Sequence, residues 1–137
     1  MFLKEGDLRV EKNSLPEKLL AMLPKKYRLN GKLDFLRVRN KGRVFQGKLF
    51  GLAVYKREDQ ETSRFGFIVS TKISKKAPER NRAKRLLRES IAHVIKEINL
   101  GFDCVILAKS LIIGRTLAEV KNEMLGLLTE GGVRTLK

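Results

Sequence analysis

The chain has 137 residues, of which 30 are Lys or Arg, 15 are Asp or Glu and one is His, for a formal charge of +15. That length suits a single domain with a real core, and a hydrophobic share of 42% excludes compositional disorder. One Cys and one His leave no disulfide framework, no Cys-rich zinc site and almost nothing for a His-based catalytic centre. No apolar run approaches the ~20 residues that span a bilayer. Met1 to Val10 carries acids among its apolar residues, unlike a secretory signal peptide. These features predict a cytoplasmic protein with an anionic partner and no membrane contact.

Residues 1–24 read as an appendage, with Ser14-Leu15-Pro16-Glu17 able to start a short helix that Pro24 closes. Residues 30–41 form the next predicted helix, capped by Asn30 or Gly31 and ended by Gly42, with a narrow apolar stripe. Phe45 to Tyr55 alternates around Phe50, Leu52 and Val54 as one strand, and the polar stretch Lys56–Ser63 reads as a hairpin loop. Arg64–Thr71 is a β-branched and aromatic run, hence a second strand. After a basic loop at Lys72–Ala77, Pro78-Glu79 opens a long helix that extends to about Asn99. Ala83, Leu87, Ile91, Val94 and Ile98 form its inward stripe; Arg80, Lys84 and Arg88 form a second stripe, flanked by Arg85. Phe102–Ala108 is a continuous apolar strand around Asp103, and Leu117–Leu128 is the last helix. The order α, β, β, α, β, α predicts an α+β fold, a small sheet packed with helices.

The excess charge is not spread evenly. Residues 25–48 hold nine basic groups against Asp34 alone, residues 72–88 hold eight against Glu79 alone, and the three remaining segments balance. A general Lys bias would not leave balanced segments, whereas clustered cations release counterions from a phosphate chain and bind it with steep salt dependence. Nucleic acid is therefore the preferred partner over a membrane surface, for which no lipidation motif is present.

Catalytic constellations are missing. His93 falls mid-helix with no Ser or Cys motif beside it, and Cys104 sits in an apolar strand as a small hydrophobe. No Walker-type loop, dinucleotide fingerprint or carboxylate pair at metal-binding spacing occurs. Asp103 reads equally as a cap, a ladder partner or a functional acid. The expectation is no catalytic residue, no metal site and no cofactor bound by the chain itself.

Arg80-Asn81-Arg82-Ala83-Lys84-Arg85-Leu86-Leu87-Arg88, after the loop Lys72-Ile73-Ser74-Lys75-Lys76, resembles the signature of the protein subunit of bacterial ribonuclease P. Gly66-Phe67-Ile68-Val69-Ser70 is similar to that family's strand before the motif. Gly101-Phe102-Asp103 with Val105–Lys109 is similar to its later strand, and Arg28-Leu29 and Asp34-Phe35 to the start of its first helix. The likeness runs from about residue 24 to about 130. It implies a ribonuclease P protein-like RNA-binding domain at 25–131, after the appendage at 1–24 and before a tail at 132–137.

The resemblance implies a subunit that joins a catalytic RNA, in a 1:1 complex, to remove the 5′ leader of precursor tRNA. The chemistry, with Mg²⁺, would come from the RNA. It implies a fold like the second domain of ribosomal protein S5, with a left-handed β-α-β crossover. Lys72, Lys75, Lys76, Arg80, Asn81, Arg82, Lys84, Arg85 and Arg88 become the RNA-binding candidates. Asn81 reads as a turn-fixing or polar-contact residue, or as an ordinary early-helix Asn. Phe35, Arg39 and Ser70 become candidates for a leader-binding cleft, with core packing the competing role for Phe35. Three positions depart from the family pattern: Arg39 replaces an aromatic, Thr71-Lys72 replaces a Lys pair, and Ile68 replaces a Ser or Thr. The rival readings are a ribosomal or ribosome-assembly RNA-binding protein and a DNA-binding architectural protein.

Overall fold

The computed structural model describes residues 23–135. After a 3-10 turn at Lys25–Tyr27, helix α1 spans Lys32–Lys41, and strands β1 (Arg43–Gln46), β2 (Phe50–Lys56) and β3 (Arg64–Ile68) follow. Helix α2 (Ala77–Val94), strand β4 (Phe102–Ala108) and helix α3 (Leu117–Glu130) complete the described chain. The sheet order is β1-β2-β4-β3, with β3 parallel to β4 and the other pairs antiparallel. The α+β class expected from the sequence is what the chain adopts.

The central strand β4 explains its own unbroken apolar sequence, because both its faces are covered. Phe102, Cys104 and Ile106 join Leu52, Phe65, Leu87, Ile91 and Met124 in the larger core beneath α2 and α3. Val105 points the other way and joins Ala53, Leu29 and Val38 beneath α1. The predicted inward stripe of α2 is buried at Ala83, Leu87, Ile91 and Val94, while His93 is exposed.

Four local expectations are corrected. Phe45–Tyr55 is not one strand but the hairpin β1–β2. Gly47 N–H donates to the Phe50 carbonyl at 3.0 Å, and the α3 carboxylate of Glu123 accepts from Leu49 N–H at 2.8 Å and Phe50 N–H at 3.2 Å. A Cβ at residue 47 would lie 2.9 Å from the Phe50 carbonyl oxygen and 2.5 Å from that carboxylate, so Gly fits the turn without a shift. Lys56–Ser63 is a loop but not a hairpin, since β4 intervenes between β2 and β3. The long helix stops at Val94 and tightens into a 3-10 turn at Ile95–Glu97. The C-terminal stretch is also integrated: Val133 is fully buried, and Arg134 bridges to Ile98. The predicted helix near Ser14 lies outside the described residues, whereas Leu23, grouped with the appendage by sequence, is fully buried in the core.

Asp103 carries the polar part of the fold. Its side chain is 0% exposed, yet it meets two guanidiniums. Arg64, its register partner on β3, binds both carboxylate oxygens through Nε at 2.9 Å and Nη2 at 2.8 Å. Arg57 donates to the same carboxylate and to the Phe102, Glu61 and Thr62 carbonyls, with Asp59 on its outer side. These bonds hold both guanidiniums above the ordinary Arg value, Arg57 chiefly through Asp59 and Arg64 chiefly through Asp103. Gly101, at φ +89°, lets the 57–63 loop close: its N–H donates to Glu61 O at 2.8 Å and its carbonyl accepts from Arg57 N–H at 2.7 Å.

Removing one partner of a buried charge cluster leaves the others without compensation. Asp103→Ala is therefore expected to destabilise the protein by about 3 to 5 kcal/mol, with Asp103→Asn intermediate. Chemical denaturation of the three proteins checks this. Superimposable curves would contradict it.

Candidate nucleic-acid interface

The basic loop is a built turn that delivers the start of α2. Ile73 N–H donates to Ser70 O at 3.1 Å, and Lys72 N–H to the Ser70 hydroxyl at 3.2 Å. The Ser74 hydroxyl accepts from Lys76 N–H at 3.1 Å and donates to Glu79, while Arg80 Nη1 donates to the Ser74 carbonyl at 2.9 Å. Arg80 thus ties the loop to the helix as well as adding charge. Pro78 in the first turn and Glu79 at the positive end of the dipole favour helix initiation here.

Burying Ala83, Leu86 and Leu87 forces the polar stripes of α2 outward. Lys72, Lys75, Lys76, Asn81, Arg82 and Arg85 are exposed, and Arg80, Lys84 and Arg88 are half-buried. Among the described residues the Asn81 side chain makes no hydrogen bond, and Ser74 is the side chain that fixes the turn. Among the described residues, these eight cations make a single ion pair, Arg85 with Glu89 at a loose 3.9 Å. Burial lowers the Arg88 guanidinium below its ordinary value, and the charge of Arg28 adds to the shift. That repulsion couples the two basic stretches of the sequence. An anionic phosphate is the group that would relieve it.

A second feature lies on the opposite face of the sheet. A cleft of about 500 Å³ opens beneath α1. Lys32, Phe35, Leu36 and Arg39 form its wall, Gly51, Ala53, Val105 and Leu107 its floor, and Val44, Ile68 and Lys109 its margins. Leu36, Val44, Ile68 and Leu107 are exposed there, an apolar surface beside three cations. Lys109 is steadied by donating to the Gly47 carbonyl at 2.7 Å. Of the sequence candidates for this cleft, Phe35 and Arg39 line it and Ser70 does not; Ser70 belongs to the turn before α2. Sequence reading missed Lys32, Leu36, Val44 and Lys109. The one available signal was the surplus of apolar residues in α1, where only Val38 is fully buried.

Among the described residues, no group of three or more His, Cys, Asp or Glu gathers to hold a metal ion. Asp103 is enclosed by Arg57 and Arg64, Glu123 by backbone N–H groups, and Glu119 by the capping box at Thr116. Burial raises the thiol of Cys104 far above its usual value and keeps it inert.

The two stripes of α2 predict opposite phenotypes. Arg82→Ala or Arg85→Ala removes an exposed cation, so stability should change by no more than about 0.5 kcal/mol while RNA affinity falls. Leu87→Ala opens a cavity and should destabilise by about 2 to 5 kcal/mol, with near-normal RNA affinity in the folded fraction. Thermal melts and RNA titrations of the three variants decide it; Arg variants that unfold yet bind normally would make those residues structural.

Comparison with known proteins places the sequence and the fold. A family model described as Ribonuclease P matches residues 23–131. The ribonuclease P protein component of Bacillus cereus (strain Q1) is 33% identical over 115 residues, covering 84% of this chain and 99% of that protein. The component from Synechocystis is 36% identical over 111 residues, covering 81% of this chain and 90% of its own length. Among solved structures, the RNase P protein of Staphylococcus aureus superposes with a TM-score of 0.72 at 26% identity, covering 81% of this chain and all of its own. That of Thermotoga maritima gives 0.67 at 29% identity, covering 75% and 96%. With the match spanning the sheet, both faces and the motif helix, the chain belongs to the ribonuclease P protein component family.

Proposed function

We propose that this chain serves as the RNA-binding subunit of ribonuclease P, assisting its RNA in removing the 5′ leader from precursor tRNA. The single observation that carries the reading is that, among the described residues, the cations of α2 and its loop have one loose acidic partner between them, which sets a dense positive surface against solvent. Where a catalytic RNA and a precursor tRNA meet, two polyanions repel; such a surface offsets that repulsion and releases counterions. The cleft beneath α1 offers the complementary site, with an apolar floor for bases and Lys32, Arg39 and Lys109 for phosphates. Membership in the family makes the chain part of an endoribonuclease holoenzyme. In this reading the cleavage itself, with its Mg²⁺, belongs to the RNA, while Asp103, Glu119 and Glu123 are engaged within the fold. A 1:1 complex in the cytoplasm completes the proposal, and no helix of the described residues is long and apolar enough to cross a membrane. The family match favours this over a ribosomal RNA-binding role.

Reconstitution tests it. At low Mg²⁺, adding the protein to a bacterial ribonuclease P RNA should raise the rate of precursor-tRNA cleavage, and the protein alone should cleave nothing. Nuclease activity that copurifies with RNA-free protein, or no stimulation at any Mg²⁺ concentration, would contradict the proposal.

A further inference from the structure

Phe35 and Gly66 meet at the end of the cleft. Gly66 is buried within β3 on the strand face that looks toward α1, and Phe35 reaches it from α1. A Cβ built on Gly66 would lie 2.4 Å from Phe35 Cζ and 2.6 Å from Cε1, far inside van der Waals contact. The backbone at Gly66 is not in the left-handed region, so conformational freedom does not account for a glycine there. Glycine inside a strand weakens it, and such a residue marks a place where another group must approach closely. Here that group is the tip of an aromatic ring.

The same ring borders open space. Phe35 lines the cleft of about 500 Å³ beside Leu36 and Ile68, so a methyl at position 66 would push the ring tip toward that space. Turning an aromatic side chain is cheaper than shifting the β3–β4 ladder, which is pinned by Arg64 and Asp103. From this geometry we infer that Gly66 is a positioning residue for leader binding. By admitting the ring tip against the strand, it holds Phe35 back as a wall of the cleft and keeps the cleft wide enough for an RNA base. The inference rests on the reading of the cleft as the leader site. Phe35 makes the contact and Gly66 sets where it is made.

A double-mutant cycle on the reconstituted holoenzyme tests it, using the parent protein, Gly66→Ala, Phe35→Ala and the double variant. Each is assayed for affinity toward a precursor tRNA whose leader reaches the cleft and toward one with a single-nucleotide leader. Gly66→Ala should weaken binding of the long-leader substrate by about fivefold or more, the lower end expected for loss of a base–aromatic stack. It should leave the short-leader substrate and assembly with the RNA subunit unchanged, and add nothing on the Phe35→Ala background. If Gly66→Ala alone folds poorly, the double variant, which removes the overlap, should regain the stability of Phe35→Ala along with its long-leader affinity, and a double variant that stays unstable overturns the inference. A Gly66→Ala effect that persists without the Phe35 ring, or that appears equally with both substrates, overturns the inference. So does a long-leader affinity that Phe35→Ala weakens and Gly66→Ala does not. Phe35→Ala without effect on the long-leader substrate would instead overturn the leader reading of the cleft, and the inference with it.

Discussion

The fold turns on a single buried carboxylate. Asp103 is the second residue of the apolar strand β4, fully excluded from solvent, where an unpaired charge would cost several kcal/mol. Two guanidiniums therefore have to arrive with it. Arg64 arrives along β3 and sets that strand parallel to β4 in one register, and Arg57 arrives from the end of β2 and gathers the 57–63 loop around its donors. Arg64 also reaches Asp34 of α1 at 3.5 Å, and Asp34 pairs with Arg37 one turn on. A chain of alternating charges thus runs from one end of the sheet to the helix that walls the cleft.

This arrangement divides the cations into two populations. Arg57 and Arg64 come from a segment whose charges balance, and both are turned inward against carboxylates. The cations of the loop and of α2 have almost no acidic partners, because the helix buries its apolar stripe against the sheet and turns the rest toward solvent. The sheet between them separates two surfaces of different chemistry. One face, under α2 and α3, supports an array of charge with little apolar surface of its own. The other, under α1, combines exposed aliphatic side chains with only a few cations. An RNA backbone suits the first, and a short unpaired strand with exposed bases suits the second.

Much of this was legible in the sequence, and the limits have physical causes. Phe102–Ala108 and the inward stripe of α2 were legible because burial shows in the residues themselves, as an unbroken apolar run in the strand and a helical period in the helix. The ends of α1 were legible because Gly31 and Gly42 mark them. The β1–β2 turn was missed because the group that holds it, Glu123, is more than seventy residues away. Strand order was missed for a related reason: the 56–63 segment looks like any hairpin loop, and only the insertion of β4 shows otherwise. Asp103 left its role open because its partners, Arg57 in the loop and Arg64 at the start of β3, lie some forty residues away in a segment whose charges balance. The cleft was half legible. Phe35 carried a resemblance and Arg39 stood where the pattern has an aromatic, while Val44 and Lys109 became cleft margins only when β1 and the end of β4 were brought to the same face.

The central claim is that opposite faces of one sheet hold different RNAs, and a tethered cleavage reagent tests it directly. Cys104 is buried with its thiol pushed up, so a cysteine introduced on the surface becomes the reactive one. An iron chelate that generates hydroxyl radicals would be attached at Ala77→Cys, at the start of α2, or at Leu33→Cys, on α1, both exposed positions. In the complex of protein, ribonuclease P RNA and precursor tRNA, the reagent on α2 should cut the ribonuclease P RNA. The reagent on α1 should cut the precursor within its leader. Leader cleavage from the α2 position, or the same RNA segment cut from both positions, would contradict the division of labour between the two faces.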